Sequence, residues 1–263
     1  DVVTANKQLL AHHGRELAGV ARENGKSLLF EASVAGGIPI IHGVQQGLAG
    51  DKLFRLRGIL NGTCNYILTR METESVAFDE VLADAQELGF AEADPTEDVD
   101  GFDAQAKIAI LASVAFGYEV NVQQIPVGTI RAIEAIDFVY SKRMQHTIRQ
   151  VAEVAIVNEE EPSVCASVRP TLVPLSSALA RVEGSRNVVC VEGRFGKETV
   201  FSGFGAGGGS GSKDTKSSGE GVGGGWSIEP LAFLVVGSEG SRLYSLKHEE
   251  TVMGKLFDLA PKV

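Results

Sequence analysis

Residues 4–32 read TANKQLLAHHGRELAGVARENGKSLLFEA, and this stretch decides the fold class. Between Thr4 and Asn24 the apolar side chains recur at helical spacing, which predicts an amphipathic helix. The helix is expected to end at Asn24 and Gly25, since glycine accepts the left-handed conformation that follows many helices. Residues 27–32 then predict a short buried strand. A helix followed directly by a strand is typical of α/β proteins.

The rest of the chain predicts further strands and helices. Apolar and basic residues alternate over residues 53–60, which indicates a strand with one face in water. Apolar stretches at 151–157 and 164–168 flank an acidic turn and predict a hairpin, and shorter strands are predicted at 188–192 and 199–202. Helices are predicted over residues 40–48, 64–71, 78–88 and 103–116, with a tight turn at 61–63 and an acidic loop at 90–100. The middle of the chain is therefore predicted to be an α+β layer with antiparallel strands.

The composition excludes several classes of protein. The 263 residues carry a formal net charge of −10 without a stripe of Lys or Arg, so no nucleic-acid partner is expected. No apolar run reaches the roughly 18 residues of a membrane span, and the first residues lack the features of a signal peptide. Because the chain does not begin with methionine, we expect it to start after processing or within a longer protein. The cysteines lie far apart, at 64, 165 and 190, which favours buried reduced thiols in a cytoplasmic protein.

The composition changes at Gly203. Eleven of the 31 glycines lie between Gly203 and Gly225, mixed with Ser, Lys, Asp and Glu, which is typical of a flexible linker. Residues 226–263 contain the only tryptophan, an apolar run at 231–236 and a helical pattern over 248–259. They contain no recognisable motif, and the segment is too short to predict a separate domain.

The most informative polar segment is EADPTEDVDGFDAQAK, residues 92–107, which concentrates six carboxylates before one lysine. A calcium loop would take its first ligands from Thr96, Asp98 and Asp100. Its twelfth position would then be Lys107, where an EF-hand needs a bidentate glutamate. The positive charge of Lys107 therefore argues against calcium.

Asp103 and Lys107 allow a second interpretation, a site for a polar substrate. They are four residues apart and share one face at the start of an otherwise apolar helix. A lysine there is expected to be partly desolvated and suited to general acid/base work, while the carboxylates could hold a substrate ammonium group. Spacing alone favours the plainer alternative, an ordinary exposed Asp–Lys pair that contributes little.

Several blocks of sequence carry a resemblance to a known family. The run AQELGFAEADPTEDVDGFDAQAK, residues 85–107, resembles the signature of homoserine dehydrogenase at every fixed position. The other agreeing blocks are, in order, residues 4–7, 31–40, 57–67 and, more weakly, 169–174 and 201–208. The similarity extends over residues 1–208 and stops there.

The resemblance implies an oxidoreductase that interconverts L-aspartate 4-semialdehyde and L-homoserine with NAD(P)H, in threonine and methionine biosynthesis. It implies that Lys107 is the general acid/base, which donates a proton to the aldehyde oxygen as hydride arrives at the carbon. Lys7 matches a second catalytic lysine that lies between nicotinamide and substrate. Glu92 and Asp103 match residues that bind the amino and hydroxyl ends of homoserine, and Asp98 supports them.

The resemblance implies two further kinds of site. Gly89 and Gly205 match positions where the backbone approaches the cofactor, a closeness that glycine permits. The family also holds a sodium-like monovalent cation with backbone carbonyls. By position, those carbonyls belong to Glu31, Val34, Gly36 and Ile38. Taken by itself, this glycine-bearing turn favours a plain strand-to-helix connection.

The implied fold class is α/β, with an α+β substrate and dimerisation domain attached to remnants of a Rossmann-like nucleotide-binding domain. A mixed sheet covered by helices forms the larger domain. Residues 1–26 are assigned to the end of the nucleotide-binding domain, 27–202 to the substrate-binding, catalytic and dimerisation domain, 203–225 to the linker, and 226–263 to an unassigned tail. A homodimer or larger homo-oligomer is implied.

The glycine-rich phosphate loop of a dinucleotide-binding domain is not found in the sequence. No Gly-x-Gly-x-x-Gly precedes Thr4, and residues 203–208 are followed by a Gly/Ser stretch rather than a helix. We therefore expect a dehydrogenase chain without most of its nucleotide-binding half, and with little or no activity alone. The alternative is a non-catalytic fragment or dimerising module. The choice between NAD and NADP stays open, since the residue that reads the ribose 2′ position lies in that half.

Overall fold

The computed structural model describes residues 1–158, 163–205, 232–237 and 240–245. Strands and helices are both present along the chain, and helices pack against two sheets of four and five strands. The predicted α/β class is therefore confirmed. Within these ranges we find no helix with the length and apolar character needed to cross a bilayer.

The four-stranded sheet begins with a strand–helix–strand unit. β1 (Val2–Thr4) pairs in parallel with β2 (Leu28–Leu29), and α1 (Lys7–Glu23) connects the two strands. The side chain of Asn6 accepts a hydrogen bond from the Leu9 N–H and so caps the start of α1. This cap fixes where α1 begins and places Lys7 in its first turn.

The strand predicted at 27–32 is shorter and less buried than expected. Leu29 is exposed, and Glu31–Ser33 form a 3-10 turn instead of continuing the strand. The reason is position, since among the strands that the structure describes β2 lies at the edge of its sheet and has a neighbour on one side only. On the other side of β1 the sheet continues with β8 (Ala232–Gly237), which is antiparallel to β1, and then with β9 (Gly240–Ser245), which is antiparallel to β8.

The five-stranded sheet has the order β5-β4-β3-β6-β7, and all of its strand pairs are antiparallel, as the sequence predicts for the middle of the chain. The sheet of the larger domain is therefore antiparallel rather than the mixed sheet that the resemblance implies. Its strands are β3 (Leu53–Ile59), β4 (His146–Asn158), β5 (Ser163–Pro174), β6 (Arg186–Gly193) and β7 (Lys197–Phe204). β4 and β5 are longer than predicted because they pair along almost their whole length, from His146 opposite Pro174 to Asn158 opposite Ser163. The acidic turn between them, most of the predicted linker and the helix predicted at 248–259 lie outside the described residues.

The described helices after α1 are α2 (Ile40–His42, continued by a π-helical turn Gly43–Gly47), α3 (Gly62–Glu74), α4 (Phe78–Glu87), α5 (Thr96–Val99), α6 (Phe102–Phe116) and α7 (Ala135–Arg143). α7 was not predicted, because exposed apolar side chains such as Ile136 and Tyr140 obscure its helical pattern. The tight turn predicted at 61–63 is wrong, since Asn61 caps α3 and the helix begins at Gly62. The acidic loop predicted at 90–100 contains the short helix α5.

α6 is the central helix of the larger core. It packs against α1, β3, β4 and β5, and its middle residues Ile108, Leu111 and Ala112 are buried. A helix that is apolar on every side is stable only when it is surrounded. Gly117, with a φ of 70°, ends α6 in the left-handed conformation that the sequence predicts there. The predicted site residues Asp103 and Lys107 therefore stand on an element that the core holds rigidly.

The exposure of each cysteine follows from its place in the fold. Cys64 and Cys190 are buried, and burial raises the pKa of the Cys64 thiol and that of Cys190, the latter to about 11. Cys165 is exposed, so the prediction of buried thiols is wrong at this position. Cys165 lies on β5, an edge strand of the five-stranded sheet.

Asp51→Asn is expected to loosen the turn between β6 and β7. The Asp51 carboxylate accepts backbone N–H bonds from Phe195 (2.9 Å) and Gly196 (2.7 Å), and these bonds hold its pKa below the usual value. Because the pKa is lower in the folded state, the stabilisation is present above the unfolded-state pKa and is lost as pH falls through the folded-state pKa. Calorimetry across pH is expected to show a lower melting temperature near neutrality and a gap that closes in acid.

The matched control for this prediction is Asp79→Asn, since Asp79 is an exposed carboxylate in the first turn of α4. Its melting temperature is expected to follow that of the unmodified chain closely. A gap for the Asp51 variant that is the same at every pH would contradict the carboxylate's role.

Candidate active site

The start of α6 is set by a glycine that no other residue replaces easily. Gly101 has a φ of 93°, in the left-handed region, and this conformation turns the chain from α5 directly into α6. The turn brings Asp98, at the end of α5, beside Asp103 in the first turn of α6. This sharp turn of the chain therefore brings two of the predicted carboxylates close together.

Asp103 pairs with both predicted lysines. Its Oδ2 lies 2.7 Å from Lys107 Nζ, and its Oδ1 lies 3.2 Å from Lys7 Nζ. The side chains of Asp103, Lys107 and Lys7 are 9%, 17% and 33% exposed, respectively. The plainer prediction of an ordinary exposed Asp–Lys pair is therefore wrong. Burial of the pair follows from the packing of α6 against α1 and β3, which no local spacing reveals.

Lys107 is held from two directions. Besides its bond to Asp103, its Nζ donates a hydrogen bond of 2.8 Å to the carbonyl oxygen of Leu60, at the end of β3. An ammonium group has three donors, so one more remains for a ligand. The geometry fixes the Lys107 nitrogen while leaving it the capacity to give a proton to a bound oxygen atom.

The electrostatics of the two carboxylates differ. Burial raises the pKa of Asp103, but the charges of Lys107 and Lys7 outweigh it, and the net pKa lies below the usual value. Burial also raises the pKa of Asp98, the nearby charge of Asp103 raises it further, and the net pKa lies above the usual value. Asp103 is thus a fixed anion that holds two cations, whereas Asp98 takes up a proton more readily.

Asn61 is the residue of this cluster that sequence reasoning missed. Its Nδ2 donates to Asp98 Oδ1 (2.6 Å) and to Asp103 Oδ2 (2.9 Å), while its Oδ1 accepts the Cys64 N–H (2.8 Å). An asparagine directly before a helical pattern is a typical N-cap, and that signal could have located the helix start. The contacts with the two aspartates had no local signal.

The other predicted substrate and cofactor residues have no described hydrogen bond or ion pair with this cluster. Glu92 is exposed, and in the hydrogen bond described for it, its backbone carbonyl oxygen accepts from Gln86 Nε2. Gly89 has a φ of 77° and follows α4. A Cβ at Gly205 would clash with the buried side chain of Asn187, so packing within the chain favours glycine here. None of these three residues has a hydrogen bond or ion pair with Asp103 among the described contacts.

The turn predicted to hold a cation has its own hydrogen bonds. The Glu31 carboxylate accepts the N–H groups of Ile41 (2.8 Å) and His42 (2.9 Å), and so caps α2. The Ile38 carbonyl accepts the Ile40 N–H at 2.7 Å. Carbonyl oxygens keep a second lone pair, so an ion remains compatible with this turn. In the described parts of the chain no group of three His, Cys, Asp or Glu side chains is arranged to hold a metal ion.

Comparisons with known proteins agree with the sequence resemblance. A family model described as homoserine dehydrogenase matches residues 39–213. The homoserine dehydrogenase of Bacillus subtilis is 46% identical over 206 residues, which are 78% of this chain and 47% of that protein. A second family model, described as sporulation protein YtfJ, matches residues 198–263, which include the segment 226–263 that has no recognisable motif.

Solved structures give the same result. The crystal structure of a homoserine dehydrogenase from Thiobacillus denitrificans matches with a TM-score of 0.75 and 39% identity, over 78% of this chain and 47% of that one. A hyperthermophilic archaeal homoserine dehydrogenase mutant in complex with NADPH matches with a TM-score of 0.66 and 30% identity, over 78% of this chain and 58% of that one.

The fold and these matches define the class as a mixed α/β protein. The chain belongs to the homoserine dehydrogenase family. It spans about half the length of the curated relatives it matches. The expectation of a resemblance covering most of the chain is thereby confirmed.

Proposed function

We propose that this chain supplies the substrate-binding and proton-transfer centre of a homoserine dehydrogenase. The reaction is the interconversion of L-aspartate 4-semialdehyde and L-homoserine with NAD(P)H, a step in threonine and methionine biosynthesis. The observation that carries the proposal is the contact of one buried carboxylate, Asp103, with two lysines from different helices, Lys7 and Lys107.

Lys107 is assigned the proton. In the direction of reduction its ammonium group gives a proton to the aldehyde oxygen, and in the direction of oxidation the neutral amine takes the proton of the hydroxyl group. Asp103 and the Leu60 carbonyl hold the nitrogen in place, which removes the need to order a mobile side chain during the reaction. Lys7, on α1, is assigned a position between nicotinamide and substrate, where its charge favours the developing oxyanion.

The carboxylates are assigned to the polar ends of homoserine. Asp103 binds the hydroxyl end, since it already contacts the proton donor, and Asp98 supports it through Asn61. Glu92 is assigned the amino group on the strength of the resemblance. Because Glu92 is exposed and has no described side-chain contact with the cluster, this role requires the substrate itself to bridge the gap.

The cofactor is assigned to the side of α1. β1, α1 and β2 form the parallel strand–helix–strand unit that dinucleotide-binding domains repeat. The described residues between β1 and α1 contain no glycine-rich phosphate loop, so they provide at most part of such a site. Bound NAD(P)H supplies the hydride. The proposed contacts of Gly89 and Gly205 with the cofactor rest on the resemblance alone. Within the chain each glycine is already explained, Gly89 by its left-handed backbone conformation and Gly205 by its packing against Asn187.

The remaining assignments also rest on the resemblance. The backbone carbonyls of Glu31, Val34, Gly36 and Ile38 are proposed to hold a monovalent cation, which would stiffen the turn before α2. The chain is proposed to form a homodimer. We also propose the division into a nucleotide-domain remnant at 1–26, a catalytic domain at 27–202, a linker at 203–225 and a tail at 226–263.

Two measurements test the proposed function. Isothermal titration calorimetry of the full chain is expected to show binding of L-homoserine and no binding of its enantiomer. A chimera in which residues 1–205 replace the matching region of the Bacillus subtilis enzyme is expected to reduce NAD(P)⁺ when homoserine is added. The full chain assayed alone decides between the enzyme and the non-catalytic module. Failure of both the titration and the chimera would overturn the proposal.

A further inference from the structure

The Asn61 amide has a single orientation that satisfies its neighbours. Asn61 is 5% exposed, and all of its described side-chain partners are inside the cluster. If the amide were flipped, its oxygen would face the carboxylates of Asp98 and Asp103, and its NH₂ group would face the Cys64 N–H. Both contacts would be repulsive, so the two donors of Nδ2 are committed to the two aspartates.

The bridge offsets a repulsion that the fold creates. Asp98 and Asp103 are two anions brought together by the turn at Gly101, and each disfavours the ionised form of the other. Burial raises the pKa of Asp98 and the charge of Asp103 raises it further, while the hydrogen bond from Asn61 lowers it. Without that hydrogen bond, Asp98 would hold its proton more tightly.

The same amide also limits the movement of Asp103. Asp103 Oδ2 accepts from both Asn61 Nδ2 and Lys107 Nζ, and its Oδ1 faces Lys7. Three contacts from three elements determine the plane of this carboxylate. If one donor is removed, the carboxylate can rotate about its last bond and the two lysines lose their common partner.

We infer that Asn61 is a positioning residue, whose amide holds Asp98 and Asp103 side by side and keeps Asp103 oriented toward Lys7 and Lys107. The side chain of Asn61 also caps the start of α3. One side chain therefore holds both the first turn of α3 and the two carboxylates in position. The inference rests on the proposed function only for the identity of the substrate, L-homoserine.

The decisive variant is Asn61→Asp in the full chain. Aspartate keeps an acceptor for the Cys64 N–H but has no donor and adds a third negative charge. Carboxyl carbon NMR titrations are expected to show higher pKa values for Asp98 and Asp103. Calorimetry is expected to show binding of L-homoserine weakened by about tenfold or more, since hydrogen bonds to charged groups are involved.

The matched control is Asn121→Asp. Asn121 is an exposed asparagine that caps a 3-10 helix by accepting the Gln123 N–H, so the same chemical change is made at a site without neighbouring carboxylates in the described contacts. This control is expected to leave the titrations and homoserine binding unchanged. If Asn61→Asp does not fold, Asn61→Ser, which also keeps a capping oxygen and lacks the amide donors, is measured in its place.

The outcomes separate the inference from the proposed function. A loss of thermal stability with unchanged titrations of Asp98 and Asp103 would mean that Asn61 is a helix cap only, and would overturn the inference. Shifted titrations and unchanged homoserine binding would also overturn it. If the unmodified chain binds no homoserine while the titrations shift, the carboxylate positioning stands and the proposed function fails.

Discussion

Lys107→Met in the chimera is expected to lower homoserine turnover by about 10²–10⁴-fold, the usual contribution of a general acid or base. Methionine keeps an unbranched stem of similar length but has no proton to exchange. The Lys107 nitrogen is anchored by Asp103 and the Leu60 carbonyl, so no mobile group can take over its position cheaply. The rate of NAD(P)H formation at saturating homoserine measures the effect.

Two further variants test whether the loss of turnover comes from the missing proton transfer or from the missing positive charge of Lys107. Lys107→Arg keeps a cation for Asp103 but is expected to remain nearly inactive, because a guanidinium group does not release its proton at neutral pH. Lys26→Met removes an exposed lysine and is expected to retain full turnover. Turnover by the Lys107→Met variant within about threefold of the unmodified chimera would be far smaller than a general acid/base effect and would remove Lys107 from the chemistry.

Asp103→Asn is expected to affect both folding and binding. The change leaves Lys7 and Lys107 without their common anion, and removing one partner of a buried ion pair costs about 3–5 kcal/mol. The lower end of that range is expected here, since both lysines keep some exposure to water. Urea unfolding of the full chain measures the loss, and calorimetry is expected to show that homoserine binding disappears.

The pH dependence of this loss has a definite sign. The pKa of Asp103 is lower in the folded state than in the unfolded chain, so its contribution is present above the unfolded-state pKa. The contribution disappears as pH falls through the folded-state pKa. The difference between Asp103→Asn and the unmodified chain is therefore expected to be largest near neutral pH and to shrink in acid. Asp79→Asn, an exposed control on α4, is expected to change stability by less than about 1 kcal/mol.

The spacing of apolar and polar residues predicted many of the helices and strands, because that spacing determines which of the two a segment forms. The alternation at 53–60 is β3, and the segment at 78–88 is α4 to within one residue. α7 was missed because its apolar residues Ile136 and Tyr140 do not face a core within the chain. β2 was predicted too long because its edge position depends on which strands pair, and pairing is not a local property.

For the candidate site as well, one part could be predicted from the sequence and another part could not. Asp103 and Lys107 share a helix face at a spacing of four residues, and this part of the site follows from helical geometry. Whether the pair is exposed or buried depends on packing of α6 against α1, and the prediction from spacing alone was wrong on this point. Asn61 was missed because its two carboxylate partners are distant in sequence.

The sequence by itself determined the α/β class, the family and the lysine and carboxylates at the start of α6, because these depend on residue type and short spacing. Only the tertiary structure decided that Lys7, on another helix, meets Asp103, and that Asn61 joins Asp98 to it. The physical reason is that a buried ion pair needs groups from several elements to offset the loss of water. Those partners are selected by packing, and packing is a property of the folded chain.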